Sequence, residues 1–404
     1  MTATSRPDAE LPVIPMPRDA RCPLAPPAEF ARWRELPGMR LARWRDQPTW
    51  ICSRYEDIRE ALVDPRLSAD TIPDSLKVAA SDNMPVIFPR IDDPEHNRLR
   101  RMMTREFTFR RAAAMRPQIQ EFVDGLLDEM VRTGPPRDIV RDFALPVPSL
   151  VISLLLGVPY EDHEFFQQSS AAGLDSRSSD EQKATSIGAL FEYMFDLVAR
   201  KEREPGDDLM SRLIVDHVAT GNLSRETAAM NALILLQAGH ETSASMISLG
   251  TLALLQHPAA MAGLRDTEDP AATAALVEEL MRYLSVVHSL VERVALQDCT
   301  IGGQSIKAGD VVLMNLPAGN WDPVFVGDPA RLDPERNSRG HLGFGFGVHQ
   351  CIGANLARVE MQVALVSLVR RLPGLRLAVP FEELRFQNEK GLFGIEELPV
   401  TWWS

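Results

Sequence analysis

Between Ser224 and Pro258 the chain contains no proline, and its apolar residues fall nearly all round a helical wheel, through Ala232-Leu233-Ile234-Leu235-Leu236 and Met246-Ile247-Ser248-Leu249. Ser224 is a good N-cap, Glu226 favours the first turn, and Pro258 stops the helix just after His257. At ~1.5 Å per residue such a helix runs about 50 Å, enough to cross a whole molecule. A helix that is apolar on every side must be enclosed by others. The chain is therefore expected to build a large helical body, and helical periodicity does dominate from Pro94 into the 280s.

The two ends read differently. Up to about Pro27 the sequence is rich in proline and polar residues without a period, which predicts an extended arm over 1–27 laid on the surface. Trp50-Ile51-Cys52-Ser53 predicts a short strand feeding a helix from Tyr55 to Val63. Past Arg293 the texture changes. Strands joined by glycine turns are expected at 299–306 and 311–314, then a helix to about Arg371 and short strands ending at Trp402. At 404 residues one large fold or two domains are both open, and neither a repeat nor a linker divides the chain. A formal charge of −13 argues against broad nucleic-acid binding. No apolar run is long enough for a bilayer and the N-terminus lacks a signal-peptide core, so a cytoplasmic protein without membrane contact is expected.

Four cysteines, Cys22, Cys52, Cys299 and Cys351, form no C-x-x-C pair, which indicates neither an iron–sulfur cluster nor a structural zinc site. The first three read as packing residues. Cys351 ends the run Phe344-Gly345-Phe346-Gly347-Val348-His349-Gln350-Cys351-Ile352-Gly353. Its glycines let the backbone pass close to a flat, bulky cofactor with no Cβ in the way. The next residues, from Ala354, read as a helix, so the thiol sits at a helix N-terminus, where the dipole and free N–H groups favour a thiolate. A thiolate is a strong axial donor to haem iron. For a lone cysteine the ordinary reading is a buried, inert side chain. A phosphate-cradling loop fails on spacing and on the missing basic residue.

Other candidates cluster at helical spacing. Ala238-Gly239-His240-Glu241-Thr242 opens a groove in the long helix, and Thr242 can bond the carbonyl of Ala238 four residues back. Glu241 beside Thr242 places a carboxylate next to an alcohol, the parts of a proton relay; a plain helix–helix contact with an exposed Glu is the competing reading. His240-Glu241 lacks the second histidine of a metalloprotease. Glu279 and Arg282 lie three apart on one helix face, a spacing that allows a salt bridge of the common, weak, exposed kind. A cofactor with two carboxylates needs cationic or imidazole partners, which His96 and Arg100, one turn apart, can supply.

The ordered pattern Phe-Gly-x-Gly-x-His-x-Cys-x-Gly resembles the haem-binding loop of the cytochromes P-450, and with the other motifs the match runs from about Cys22 to Trp402. That resemblance implies a mainly α fold with a small β-rich lobe, a triangular helical prism forming a single domain over 1–404. It implies haem b between the long helix and the cysteine loop, with Cys351 as axial ligand and Phe344, Gly345 and Gly353 beside it. His96, Arg100, Arg293 and His349 would bind its propionates, and Glu279, Arg282 and Arg336 would form a structural ion network. Ala238, Gly239, Glu241 and Thr242 would serve O2 activation. The implied activity is hydroxylation or epoxidation of a hydrophobic substrate of moderate or large size, such as a polyketide, macrolide, terpenoid or steroid-like xenobiotic. Met84, Phe88, Leu235, Gln237, Val287, His288, Leu290 and Phe393 would form its pocket. Further walls are implied from the loop at 71–88 and from the region around Phe165 to Phe195.

Electrons are implied to come from NAD(P)H through ferredoxin reductase and a ferredoxin docking on Arg98, Arg101, Arg105 and Arg358, with the enzyme a monomer. A binding or sensing haem-thiolate protein and a peroxide-driven enzyme are the alternatives. Three residues depart from the family pattern: Ser243 where a second threonine is familiar, Glu292 where a proline is common, and Trp321 in place of an arginine.

Overall fold

A computed structural model of the protein describes residues 11–70, 87–159, 162, 165, 179–388 and 391–403. The long helix spans Arg225–Gln256, and the Ser224 hydroxyl accepts the Thr227 N–H at its start. It packs against the helices Pro146–Leu156, Asp180–Arg203 and Ala354–Arg371. Leu233, Ile247, Leu249 and Leu252 are wholly enclosed. Burying each such side chain stabilises the fold by roughly 1.5–3 kcal/mol, so a charge placed at Leu249 would break this packing first. The helix Phe109–Thr133 closes the body by lying along Ala354–Arg371.

The β-rich lobe is a six-stranded sheet whose order is Val13–Ile14, Arg40–Trp44, Gln47–Cys52, Val311–Met314, Glu292–Ala295, Leu67–Ser68. Its centre pairs Trp50 with Val312 in parallel and Arg293 with Val312 antiparallel. The hairpin Cys299–Ile301 and Gln304–Ile306 forms as expected. Among the described residues no single helix is long and apolar enough to cross a membrane.

The described part of the N-terminal arm, residues 11–27, lies over the body with buried anchors between exposed residues such as Val13. Ile14, Met16 and Leu24 are buried, and Ile14 pairs in parallel with Trp44. Arg18 is buried as well: its Nη1 donates to the carbonyls of Leu24 and Ala25, both at 3.1 Å, and its guanidinium lies 3.6 Å above the Phe393 ring. Burial pushes this guanidinium down to about 9. Prolines gave the arm its extended backbone; one arginine over one aromatic ring pins it to the body. Cys22 is exposed rather than packed, whereas Cys52 and Cys299 are buried as expected. Trp321 fills interior space, donating its indole N–H to the Tyr283 carbonyl at 2.8 Å.

Candidate active site

The cysteine loop is shaped by backbone geometry. Gly345 and Gly347 have φ of 69° and 75°, a region closed to most side chains. A Cβ on Gly347 would also come within 3.0 Å of the Leu62 carbonyl oxygen. The Cys351 N–H donates to the Phe344 carbonyl at 2.8 Å, folding the loop onto itself. Gly353 caps the helix Ala354–Arg371. The Cys351 sulfur lies deep in the molecule, accessible only because it faces an internal cavity.

Burial pushes the Cys351 thiol up, against the pull of the Gly353 and Ala354 N–H groups and the guanidinium groups of Arg100 and Arg358. The helix terminus was expected to favour the anion; here desolvation outweighs it. A cation against the sulfur is the remaining way to hold a thiolate in so dry a place.

Across the cavity, of about 270 Å³, stand Ala238, Gly239, Thr242 and Ser243 of the long helix. The Thr242 hydroxyl donates to the Ala238 carbonyl at 2.6 Å, as the four-residue spacing predicts. A Cβ on Gly239 would meet Ile152 at 3.2 Å, so its absence also admits the helix Pro146–Leu156. His240 turns away: its Nε2 lies 3.1 Å from the Leu145 carbonyl oxygen, and burial pushes it down to about 4. Glu241 faces an adjoining chamber of about 550 Å³. Sequence reading missed Glu360, a fully buried acid on the helix Ala354–Arg371 that also lines the cavity. Burial raises its carboxyl to about 8 despite a hydrogen bond with Ser243. The signal was an acid nine residues past the cysteine, on an otherwise apolar helix face.

The adjoining chamber gathers His96, Arg100, Arg293 and His349. His96 is completely buried, with its ring centroid 4.0 Å from that of His349. Among the described residues, neither ring nitrogen of His96, nor Nδ1 of His349, has a hydrogen-bond partner. The 3.4 Å contact from His96 Nδ1 to Asp93 is within ion-pair reach but lacks hydrogen-bond geometry. His349 is pushed down to about 4 by burial, Arg293 and His96. A buried polar nitrogen left unpaired costs about 1–3 kcal/mol. These nitrogens, with the guanidinium groups of Arg100 and Arg293, fit a ligand that brings anionic oxygens to this end of the cavity. The single thiol of Cys351 and the apolar walls of the two chambers complete the match to haem.

Glu279 and Arg282 are wholly buried, not the weak exposed pair expected from spacing alone. Arg282 meets both Glu279 oxygens at 2.8 Å and donates to the carbonyls of Asn320 and Pro329. Arg336 reaches Glu279 at 3.4 Å.

Of the expected substrate contacts, Leu235 and Val287 line both chambers, and Phe88, Gln237 and Leu290 line the larger. His288 and Phe393 do not. Val287 forms a β-bridge with Leu392, and successive residues of extended chain face opposite ways. His288 therefore borders a small cavity beneath the arm with Met16 and Arg18, while Leu392 faces the large chamber. Phe393 is fully enclosed, stacked 5.8 Å from Phe386 under Arg18. Met84 lies outside the described residues, as does the loop at 71–86. Phe165 and Phe195 are partly exposed and line neither chamber.

The expected docking arginines are mostly engaged within the chain: Arg98 with Glu95, Arg105 with Glu106 and Asp216, and Arg358 with Glu278. Glu292 is buried against Arg90 and Arg45.

A sulfur donor opposite a grooved helix, with groups for carboxylates at one edge of the cavity between them, defines the class as a haem-thiolate protein. The model of the Cytochrome P450 family matches residues 38–217 and 199–395. The chain belongs to the cytochrome P450 family and is a haem-dependent monooxygenase that uses O2. It is 46% identical over 362 residues to Cytochrome P450 GfsF of Streptomyces halstedii, covering 87% of each chain. To the mycinamicin VIII C21 methyl hydroxylase of Micromonospora griseorubida it is 42% identical over 355 residues, 87% of this chain and 90% of the relative. The crystal structure of GfsF superposes with a TM-score of 0.90 at 44% identity, covering 97% of this chain and 100% of that one. The mainly α fold with a small β-rich lobe is thus the family's.

Proposed function

We propose that this protein, as one domain and a monomer in the cytoplasm, hydroxylates or epoxidises a hydrophobic small molecule of moderate or large size, with a macrolide-like polyketide the first candidate and a terpenoid or steroid-like molecule the next. The observation that carries this reading is the pair of adjoining chambers, walled mainly by apolar side chains and sharing Cys351, Thr242 and Ala238. The relative named for mycinamicin VIII has been solved with that molecule bound, at 39% identity and a TM-score of 0.88, which supports the macrolide class.

Cys351 would bind the haem iron through its sulfur, steadied by the N–H groups of Gly353 and Ala354. Phe344, Gly345 and Gly353 would border the porphyrin on that side. His96, Arg100, Arg293 and His349 would receive the propionates. Haem bound there supplies the iron at which O2 is reduced and one of its atoms passed to substrate. Thr242, by releasing the Ala238 carbonyl, can turn its hydroxyl into the cavity and donate a proton, and Glu241 can replenish it from the adjoining chamber. Gly239 and Ala238 keep that face of the helix low enough for O2. Leu235, Val287, Leu290 and Phe88 exclude water, and Gln237 offers one polar anchor. Electrons would come from NAD(P)H through ferredoxin reductase and ferredoxin. Arg101, the exposed member of the expected patch without an ion pair among the described residues, would be its first contact.

The test is a reduced, carbon-monoxide-bound spectrum followed by turnover. A strongly red-shifted Soret band that disappears in Cys351→Ala, together with hydroxylated product formed from NADH with a surrogate ferredoxin, supports the reading. A haem-loaded protein without that band overturns it, and product formed only with peroxide overturns the electron route.

A further inference from the structure

Beneath the cysteine loop lies an ion network outside the chemistry described so far. Glu278, on the helix Pro270–Leu284, accepts from Arg358 through both oxygens, at 2.5 Å from Nε and 3.0 Å from Nη2. The same carboxylate lies 3.2 Å from His341 Nε2, while His341 Nδ1 accepts the Gly343 N–H at 3.0 Å. The Arg358 guanidinium lies 4.6 Å over the ring of Phe344, whose carbonyl accepts the Cys351 N–H. Arg358 is thus held against the residue that holds the cysteine, and its Nη1 donates to the Ala354 carbonyl at 3.3 Å, three residues past Cys351. A cation near a thiolate draws electron density from it and favours the reduced state of a metal behind it; an anion paired to that cation cancels the effect. Glu278 is that anion: against burial, which raises its carboxyl, His341 and Arg358 hold it down at about 2.

We propose that Glu278 is a positioning residue that sets the reduction potential of the iron at Cys351, by locking Arg358 onto Phe344 and neutralising it. The inference rests on Cys351 as the haem ligand. Two charges of opposite sign are involved, so a merely structural role and an electrostatic one part company: loss of either partner would destabilise the protein in the same direction, but it would move the potential in opposite directions.

The experiment measures the midpoint potential of the haem-loaded enzyme by spectroelectrochemistry. Glu278→Gln, which keeps the shape of the side chain, should raise it by up to the equivalent of a tenfold change in the one-electron equilibrium, about 59 mV. Arg358→Gln should lower it comparably, and the double variant should return to within about threefold of the parent. Arg358→Lys keeps the charge and should stay within about twofold. A parent enzyme without the red-shifted carbon-monoxide band sinks the ligand assignment itself. With that band intact, shifts of the same sign in the two single variants, no shift in either, or a lysine variant behaving like the glutamine one overturns this inference.

Discussion

The floor of the cavity and its wall are built by opposite means. The floor, around Cys351, is held by directional contacts: positive-φ glycines, the Cys351 to Phe344 hydrogen bond, a buried ion network at Glu279–Arg282–Arg336 and a half-buried one at Glu278–Arg358. The wall is assembled from apolar side chains on separate segments, among them Phe88, Leu235, Val287, Leu290 and Leu392, with few polar contacts among them. Directional contacts fail when one atom is removed, because a buried charge is left without its partner. Apolar contacts lose stability in proportion to the volume removed. A catalyst that must keep one geometry at its metal and enclose a small-molecule substrate needs both kinds of construction.

The contrast breaks first at Arg282. Arg282→Ala removes the bidentate partner of the wholly buried Glu279 carboxylate, leaving Arg336 at 3.4 Å as its remaining cation, and should cost about 3 kcal/mol in denaturant unfolding; a loss under about 1 kcal/mol would mean that the floor is no more directional than the wall. Glu360 sharpens the same contrast through pH. Its carboxyl is raised to about 8 in the folded chain, against about 4.3 when unfolded. Its contribution is therefore fully present below about pH 4.3 and is lost as pH rises through 8. Glu360→Gln should unfold later than the parent at pH 8, by a few kcal/mol at most, and the gap should close by pH 4 to 5; a gap independent of pH removes the buried acid from the account. On the wall, Val287→Ala deletes two methylene equivalents that face the chambers. Substrate binding read by the spin-state spectrum should weaken about fifteenfold, or ~1.6 kcal/mol, with a smaller loss of stability. Smallest of all, His288→Ala should leave substrate affinity within about twofold, since His288 borders the cavity under the arm; a tenfold loss would return it to the wall.

The floor was legible because its signals are local. Glycines where φ must be positive, a thiol just before a helix, and a four-residue step from Ala238 to Thr242 are all short-range relations in the chain. The wall was legible only as a list of apolar segments. Val287 and His288 are neighbours, and which of them lines the chambers depended on a bridge to Leu392, more than a hundred residues away. Phe393 read as a contact because it is large and apolar, yet Arg18 of the arm lies over its other side and claims it for the core. Glu278 carried no pattern of its own and Glu360 only that of an acid on an apolar helix face; their roles appear when Arg358, His341 and Ser243 arrive beside them.

From the order of residues alone came the thiol at the end of a glycine loop and the long helix that must be enclosed, because backbone dihedrals and hydrophobic periodicity act over a few neighbours at a time. The charge states of Cys351 and Glu360, the facing of Val287 over His288, and the burial of Glu279 with Arg282 were decided by the folded molecule. Desolvation and ion pairing depend on what surrounds a group in three dimensions, and in this protein those surroundings come from distant parts of the chain.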